Sequence, residues 1–536
     1  MSSAQKSGKK SLDVKSVSEQ MRTLIADGHS DDAIAMVMAM LLEFQKSNTE
    51  LVLKILRLER ERAGHRSERM DPTQIALMLE LAHATGSQAE DRAATEAEDQ
   101  ALEQERAELG EAAARRGVPR RRRPSRELER RVVMHRLEPE ERLCPCCGEP
   151  MGEIGEDVSE LVELVPAQFF VEEHHRVKYA CGRCKETVVT APGPEKLIEK
   201  GLPGPGLLAH LVVSKYQEHL PLNRLIDIYL RGGLETSSST LCGWVAAVAR
   251  EVEPIVERIW EKARASVELQ TDGSGLKVLD RDDPQGIRRG TMWCYVGDRH
   301  HVVFRYAPDG CGAKGPWKEL EGRRGYVQAD ASSVFDRVYA DKNENSQAVE
   351  VGCLAHARRK LRELADSDVR VAYPLKLLSQ LYQVEDLADR RGLAPPERLE
   401  LRKGRSAKIA ERYHRWLVYT VHVETPASAL AKACSYSLRH WAALTRFLSD
   451  GVLQLDNNLC EQQIRSLALG RRNYLFAGSD EGAHRAATLY SLMRTCALNR
   501  IDPFAYLVDV LRKLAGGWKQ SRLDELLPEN WQPVTT

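Results

Sequence analysis

The sequence predicts a multidomain α+β protein, and three observations support this prediction. The chain has 536 residues, more than a single hydrophobic core usually holds. Two pairs of closely spaced cysteines enclose a strand-like segment, which is typical of a small metal-binding domain. Farther along, strand-like segments that end in aspartate precede a long stretch with helical periodicity. Successive blocks of different periodicity indicate separate domains.

The composition excludes several classes of protein. Hydrophobic residues make up 42% and charged residues 29% of the chain, which is typical of a globular protein rather than a disordered or fibrous one. No apolar run approaches the roughly 20 residues of a membrane-spanning helix, and the polar start MSSAQKSGKKS is unlike a signal peptide. We therefore expect a cytoplasmic protein with no membrane partner.

Residues 1–85 are predicted to form an N-terminal helical or coiled-coil region. In NTELVLKILRLERER, the apolar residues Leu51, Ile55 and Leu58 recur at spacings of four and three. A small helical bundle and a short dimerising coiled coil fit this pattern equally well.

Residues 86–131 change from strongly acidic to strongly basic. Residues 90–111 carry nine acids and two arginines. This composition fits either a charged, solvated helix or a linker, and we favour the linker. The following ARRGVPRRRRPSRELERR contains prolines that prevent a continuous helix. We interpret it as an extended arm that binds DNA phosphates, with a solvated linker as the alternative. Its central arginines are Arg120, Arg121, Arg122 and Arg123.

Residues 132–200 are predicted to form a DNA-binding zinc ribbon. The segments CPCCGEPMG and CGRC each supply a Cys-x-x-Cys knuckle, with strand-like sequence between them. Four thiolates complete the tetrahedral shell of one structural Zn²⁺ and leave no open position for catalysis. The expected ligands are Cys144, Cys147, Cys181 and Cys184, with Cys146 as a spare or a substitute ligand. His174 and His175 are interpreted as strand-surface residues.

Residues 201–265 are predicted to be helical. A turn at Arg231-Gly232-Gly233 and a capping run, TSSST, separate two amphipathic stretches, which resembles a helix-turn-helix. The pattern alone favours an ordinary helical hairpin.

Strand-like segments follow in residues 266–345. The first segment, ASVELQTD, ends at Asp272, and the last, GYVQAD, ends at Asp330. Between them, GTMWCYVGD and HHVVFRYA are predicted to form a hairpin of two strands. An aspartate at a strand end is often only a turn or helix cap. CLAHARRKLRELA then begins a long helical region with a basic face.

A further helix is predicted to begin near Asn457 in DNNLCEQQIRSLALGRRNYLFAGSD. Its apolar stripe would contain Cys460, Ile464 and Leu467, and its polar stripe Asn457, Glu461 and Arg465. Asp456 precedes the helix and is predicted to be its N-cap.

Motifs along nearly the whole chain resemble the insertion sequence sixty-six family of bacterial transposases. They are AGHRSERMDP, CPCCG with YACGRC, LLAHLVVSKYQEHLPLNR, GYVQAD, CLAHARRK, DNNLCEQQIRSLALGRRNYLFAGSD, YSLMRTCALNRIDPFAYL and LDELLPENW. So many motifs in a fixed order make the resemblance specific. It implies a ribonuclease H-like α/β catalytic core in two parts, residues 266–345 and 451–515. Residues 346–450 would be a helical insertion and residues 516–536 a C-terminal tail.

The resemblance also implies a catalytic site. The acidic triad of these DDE transposases falls on Asp272, Asp330 and Glu461. These residues would bind two Mg²⁺ or Mn²⁺ ions, with Asp272 bridging both, Asp330 binding one and Glu461 the other. The implied function is binding of the terminal inverted repeats of an insertion sequence, cleavage of DNA and transfer of 3′-hydroxyl ends into target DNA.

DNA is therefore the expected partner. The basic residues expected to bind it in the core are Arg358, Arg359, Lys360, Arg465, Arg471 and Arg472. His356 either contacts the scissile phosphate or is an ordinary helix-surface residue. A homodimer or higher oligomer on DNA, and small accessory proteins of the same element, are further expected partners.

Three positions depart from the family pattern. They are Gly273, Gly310 and Gln462, where the family commonly has Glu, Arg and Arg. One alternative is therefore a catalytically impaired or domesticated DNA-binding derivative of a transposase. Another is a metal-dependent nuclease that cuts DNA without joining it.

Overall fold

The structure is a computed structural model of the chain. It describes residues 89–114, 131–134, 145–150, 168–180, 188–308, 314–340 and 347–533. Several predictions fall outside these residues: the helices of residues 1–85, the arginine arm at Arg120 to Arg123, and the positions of Cys144, Cys181, Cys184 and Gly310. No helix in the described part of the chain combines the length and apolarity needed to cross a bilayer.

Helices and strands alternate in blocks along these residues. The helices are α1 (Ala89–Ala114), α2 (Pro205–Tyr216), α3 (Leu222–Arg231), α4 (Ser238–Ala265), α5 (Lys314–Leu320), α6 (Asp336–Ala340), α7 (Leu354–Arg362), α8 (Ala372–Arg391), α9 (Pro395–Leu401), α10 (Ala407–Val423), α11 (Ala429–Arg439), α12 (Trp441–Leu444), α13 (Asn458–Tyr474), α14 (Asp480–Leu498) and α15 (Pro503–Ala515). The strands are β1 (Lys178–Ala180), β2 (Val188–Thr190), β3 (Glu268–Leu279), β4 (Ile287–Gly297), β5 (His301–Ala307), β6 (Arg324–Gln328) and β7 (Gln347–Val351). The mixture agrees with the predicted multidomain α+β class.

A five-stranded mixed sheet organises the catalytic half of the chain. Its strand order is β5-β4-β3-β6-β7, with β4 antiparallel to β3 and β5, and β6 parallel to β3 and β7. The predicted hairpin is therefore β4 and β5. The prediction that the first strand stops at Asp272 is wrong, because β3 pairs with β4 as far as Leu279.

The fifth strand was not predicted. Residues 346–450 were expected to be a helical insertion, but β7 occupies residues 347–351 and pairs in parallel with β6 along its whole length. The insertion thus begins after β7. The sequence QAVEV is too short to distinguish a buried strand from a helical segment by periodicity.

One edge of the sheet is covered by a helix. The N–H groups of Val302 and Phe304 in β5 donate to the Oγ atoms of Thr495 (3.1 Å) and Ser491 (2.8 Å) in α14. An uncovered edge strand offers unpaired N–H and C=O groups to other chains, so this helix closes the sheet at β5.

The segment with the helix-turn-helix pattern is largely part of the core. The Ser237 side chain caps α4 by accepting the N–H of Thr240 (3.2 Å), as the TSSST run predicts. α4 is 28 residues long. Near its end, the ring centroid of Trp260 lies 5.0 Å from that of Tyr295 in β4. Most of α4 is thus a buried core helix, which agrees with the ordinary helical hairpin that the pattern favours.

The insertion has a second hydrophobic core, formed mainly by α7 to α12. At its centre the guanidinium of Arg402 is fully buried and donates to both oxygens of Glu385 (2.8 and 2.7 Å). It also donates to the carbonyls of Phe447, Asp450 and Leu453 (2.9, 2.8 and 2.7 Å). Arg402 thereby connects the insertion to the segment that leads into α13.

The acidic stretch before the arginine arm is a docked helix, so the favoured prediction of a linker is wrong. α1 packs against α8 of the insertion and buries Leu102 completely. Ion pairs surround this contact, including Arg106 with Asp386 (2.8 Å) and Lys376 with Asp99 (3.1 Å). The acids that suggested a solvated segment instead face the basic side chains of the insertion.

The predicted tail also packs. Leu526 is fully buried, and its carbonyl accepts the hydroxyl of Tyr506 in α15 (2.6 Å). The ring of Trp531 lies 5.7 Å from the same tyrosine in an edge-to-face arrangement. The apolar side chains of residues 516–533 therefore pack into or against the main hydrophobic core.

Candidate active site

The start of α13 is buried against the sheet. The N-cap position is Asn457, and not Asp456 as predicted. Asn457, predicted to lie on the polar stripe opposite the apolar one, is fully buried and donates from Nδ2 to the carbonyl of Thr271 (3.3 Å). Asp456 accepts the N–H of Asn458 (3.1 Å) and the hydroxyl of Tyr382 (2.7 Å).

The predicted apolar stripe of α13 is confirmed. Cys460 and Leu467 are fully buried, and Ile464 is 9% exposed. Since these three side chains face the sheet, Glu461 at the next position is turned toward the space beside β3. Arg465 is exposed one turn farther along.

The structure brings the three predicted carboxylates together from three parts of the chain. Asp272 lies within β3, Asp330 two residues beyond the end of β6, and Glu461 in the first turn of α13. The pKa of Asp272 is raised to about 6, mainly by burial, with contributions from the negative charges of Asp330 and Glu461 that the N–H of Gly273 opposes. A carboxyl whose pKa is raised by two other carboxylates is suited to bind a cation.

Glu461 has an unengaged oxygen. Its Oε1 atom is buried without a hydrogen-bond partner and lies 3.9 Å from Nε2 of His356. Its Oε2 atom lies 3.8 Å from Nη2 of Arg359. An orphaned, buried carboxylate oxygen next to two other carboxylates fits a divalent-cation site, because a cation would satisfy all three groups.

Two glutamines that were not predicted connect the elements carrying the carboxylates. Gln270 and Gln328 are buried two residues before Asp272 and Asp330, and Nε2 of Gln270 donates to Oε1 of Gln328 (3.1 Å). Gln328 also donates to the carbonyls of Gly352 (3.2 Å) and Gln454 (2.9 Å). A polar residue two positions before each aspartate was the available sequence signal, since residues i and i+2 of a strand share a face.

Gln270 continues this network to α13. Its Nε2 atom donates to the carbonyl of Asp456 (3.3 Å), and its Oε1 atom accepts the N–H of Cys460 (3.3 Å). The backbone before and within the first turn of α13 is therefore held by the strand that carries Asp272. This positions Glu461 relative to the two aspartates.

The N-terminus of α7 completes the wall of the site. Cys353 is the N-cap residue of α7 and is 2% exposed, and burial raises the pKa of its thiol to about 12. His356 is one turn along the same helix, and burial lowers its pKa, which favours the neutral ring. The ligand atoms of Cys353, His356 and Glu461 all lie within 4.8 Å of one another.

The predicted DNA-binding side chains around the site have different environments. Arg359, Lys360, Arg465 and Arg472 are exposed. The guanidinium of Arg358 lies 5.8 Å from the ring centroid of Tyr382, and the ammonium of Lys360 lies 4.6 Å from that of Tyr436. Arg471 donates to the carbonyl of Gly275 in β3, so at least part of its hydrogen-bonding capacity is used within the protein.

The structure explains one departure from the family pattern. A Cβ atom at Gly273 would lie 2.7 Å from Cζ3 of Trp293 in β4, closer than real Cβ contacts come. The indole ring therefore fills the space that a side chain at this position would need. Gln462 is exposed on α13, where a longer side chain could be accommodated.

The zinc ribbon is described only in part. Residues 178–180 of β1 pair antiparallel with residues 188–190 of β2, and Cys181 and Cys184 fall between them in the sequence, outside the described residues. Cys146 and Cys147 are both exposed and free of disulfides. The four-cysteine ligand set stays a prediction.

Three family models match the chain in order. The zinc-finger binding domain of transposase IS66 matches residues 141–185, the transposase IS66 family matches residues 200–485, and the IS66 C-terminal element matches residues 491–528. Together they define a transposase with a DNA-binding zinc-finger domain, an enzyme that acts on DNA.

The curated relatives agree over most of the chain. The uncharacterized proteins y4hP, y4jD and y4qI of Sinorhizobium fredii (strain NBRC 101917 / NGR234) are 32%, 31% and 35% identical to it. The alignments cover 90%, 74% and 72% of this chain and 88%, 79% and 74% of those proteins. The chain belongs to the IS66 family of transposases.

Proposed function

We propose that this transposase cleaves DNA and joins the resulting 3′-hydroxyl ends to target DNA with two divalent cations held by Asp272, Asp330 and Glu461. One observation carries the proposal: Asp330 and Glu461, from separate parts of the chain, both raise the pKa of the half-buried Asp272. Like charges on a partly buried surface repel one another, and a protein keeps them together where a cation or a reaction requires it.

The sheet supports a ribonuclease H-like core. The strand order is β5-β4-β3-β6-β7, so the central strand β3 has an antiparallel hairpin on one side and two parallel strands on the other. This arrangement is the one expected for that fold. Asp272 lies in β3, and Asp330 lies two residues beyond the end of the neighbouring parallel strand β6. Both aspartates come two residues after the last pair of that ladder, Gln270 with Gln328. Parallel neighbours deliver their following residues to one end of a sheet, where many α/β sites form.

Bound Mg²⁺ or Mn²⁺ would supply Lewis acidity for the attacking and leaving oxygens of a phosphodiester. The protein holds the ligands. Gln270 and Gln328 fix the backbone that carries Asp272, Asp330 and Glu461, so the carboxylates need little rearrangement on binding. Arg359, which is exposed and close to Glu461, is placed to contact a phosphate at the same site.

DNA would be bound beyond the catalytic site as well. The zinc ribbon would contact the terminal inverted repeats, with Cys144, Cys147, Cys181 and Cys184 as the proposed Zn²⁺ ligands. The arginines Arg120 to Arg123 would add further contacts to these repeats. Exposed basic residues of α7 and α13 supply phosphate contacts near the scissile bond. Such binding should weaken steeply with salt because each neutralised phosphate releases counterions. A dimer or higher oligomer would hold both ends.

The test is strand transfer with precut element ends and Mg²⁺. Asp272→Asn and Asp330→Asn should each abolish joining, while end binding in a mobility-shift assay stays unchanged. Asp282→Asn is the matched control, because Asp282 is exposed in the turn between β3 and β4. Joining by either of the first two variants at the rate of the control would overturn the proposal.

A further inference from the structure

The side chains at the N-terminus of α7 form a set of metal ligands that the carboxylate triad does not use. Cys353, His356 and Glu461 place a sulfur, an imidazole nitrogen and a carboxylate oxygen within 4.8 Å of one another. Two of them come from one turn of α7, and the third comes from α13, about a hundred residues later in the chain.

The donor atoms are not committed to other partners. Oε1 of Glu461 and Nδ1 of His356 are both buried, and neither has a hydrogen-bond partner among the described residues. Buried polar atoms are nearly always satisfied, so Oε1 of Glu461 and the His356 ring are open to a ligand. Arg359 contacts the other oxygen of Glu461 and leaves Oε1 free.

The sulfur of Cys353 lies among backbone donors at the start of α7. The N–H groups of Asn457, His356 and Ala355 donate to it and would also hold a metal-bound thiolate, which forms only when an ion displaces the thiol proton. The side chain is 2% exposed, so water cannot replace a ligand there easily. A metal-bound thiolate in such a place is stabilised by the same backbone groups that surround a sulfur in other metal sites.

The distances allow one ion to reach all three groups. Nε2 of His356 and Oε1 of Glu461 are 3.9 Å apart. At the tetrahedral angle, Zn–N and Zn–O bonds of about 2.0–2.1 Å hold two such atoms about 3.4 Å apart, so an approach of about half an ångström brings both into contact with one ion. Zn–S bonds are longer, at about 2.3 Å, and bring Cys353 within reach after a small adjustment.

We propose that Cys353, His356 and Glu461 form a site for a zinc-class transition-metal ion, separate from the zinc ribbon and next to the catalytic carboxylates. One thiolate and one imidazole select such an ion over Mg²⁺, which prefers oxygen ligands. Three protein ligands leave a fourth position open to water. The site stands on these contacts and does not depend on the reaction proposed above.

Sharing of Glu461 has a consequence that does rest on the proposed function. A zinc-class ion bound to Cys353 and His356 draws the Glu461 carboxylate away from the Mg²⁺ site. Added Zn²⁺ should therefore inhibit Mg²⁺-dependent strand transfer, and Cys353→Ser should be inhibited less than the unmodified chain. This experiment measures activity and is separate from the measurement of metal binding described next.

Binding is tested on the full chain with Co²⁺, which reports thiolate ligation by its near-ultraviolet absorption. Cys353→Ser should bind one equivalent fewer than the unmodified chain and lose part of the sulfur-to-cobalt absorption. The matched control is Cys434→Ser, because Cys434 is equally buried but lies in α11 of the insertion. This control should bind as much cobalt as the unmodified chain.

A second variant keeps the test decisive if the serine at position 353 disturbs folding. His356→Gln retains a polar side chain of similar size on a partly exposed position and should also lose one equivalent. Unchanged cobalt stoichiometry in both Cys353→Ser and His356→Gln would overturn the proposal. Loss of cobalt by the Cys434→Ser control would do so too, because the effect would then be general to buried cysteines.

Discussion

Replacing Gln328 by Met tests whether the glutamine network positions the catalytic carboxylates. Met has nearly the same length and volume as Gln but neither donates nor accepts strong hydrogen bonds. Gln328 in β6 is fully buried, and its side chain contacts Gly352, just after β7, and Gln454, in the segment before α13. The substitution therefore removes polar contacts while leaving the packing nearly unchanged.

The expected magnitude follows from the bonds that are lost. Gln328 makes three side-chain hydrogen bonds, to Gln270 (3.1 Å), Gly352 (3.2 Å) and Gln454 (2.9 Å). At about 1 kcal/mol for each bond, Gln328→Met should lower the free energy of unfolding by about 3 kcal/mol. Gln380 is a matched control, because it is also fully buried but makes one such bond, to the carbonyl of Thr95 (2.7 Å). Gln380→Met should cost about 1 kcal/mol.

Urea unfolding measures both values, and strand transfer measures the effect on the site. Gln328→Met should reduce Mg²⁺-dependent joining at least tenfold under conditions where the protein is fully folded, since Asp330 and Glu461 lose a shared support. Gln380→Met should join at the normal rate. Equal destabilisation by the two substitutions, or normal joining by Gln328→Met, would refute the positioning role of Gln328.

Two further predictions concern charge. Burial raises the folded-state pKa of Asp272 to about 6. Between about pH 4 and 6 the folded metal-free chain therefore holds a proton that the unfolded chain has already lost, and the free energy of unfolding should fall by about 2 kcal/mol as the pH rises across this range. Unfolding titrations in EDTA should show a smaller decrease for Asp272→Asn, and parallel curves for the two proteins would contradict the assignment. Arg402→Met should lower the free energy of unfolding by about 3 kcal/mol or more, because it leaves buried Glu385 and three carbonyls with fewer partners. Lys403→Met, which removes an exposed pair with Glu400, should cost less than about 1 kcal/mol in the same assay, and similar losses for both variants would argue against a buried network.

Local sequence patterns predicted much of the catalytic half. The hairpin of β4 and β5 and the apolar stripe of α13 follow from periods of two and 3.6 residues, which depend only on neighbouring residues. The capping role of Ser237 has the same origin, since a cap and its N–H partner are three residues apart. The motifs around Asp272, Asp330 and Glu461 identified the family without any structure.

Other features could not be read from local patterns. α1 carries the composition of a solvated linker, yet its charged side chains pair with the insertion. Asp99 pairs with Lys376, and Arg106 pairs with Asp386 at a sequence separation of 280. The strand β7 is too short for its periodicity to be decisive and is recognised by its pairing with β6. Asn457 was predicted to lie on a polar stripe, but its burial comes from a contact with Thr271, 186 residues away.

The sequence by itself determined the family, the kinds of ligand and the order of the domains, because these are recorded in motifs of a few adjacent residues. Tertiary structure alone decided which of those residues meet. Gln270 bonds Gln328 across 58 residues and Gln328 bonds Gln454 across 126, and contacts of this kind place Glu461 beside the two aspartates. The meeting of Cys353 and His356 with Glu461 is of the same kind. Contacts at such separations depend on how strands and helices pack, which no local period specifies.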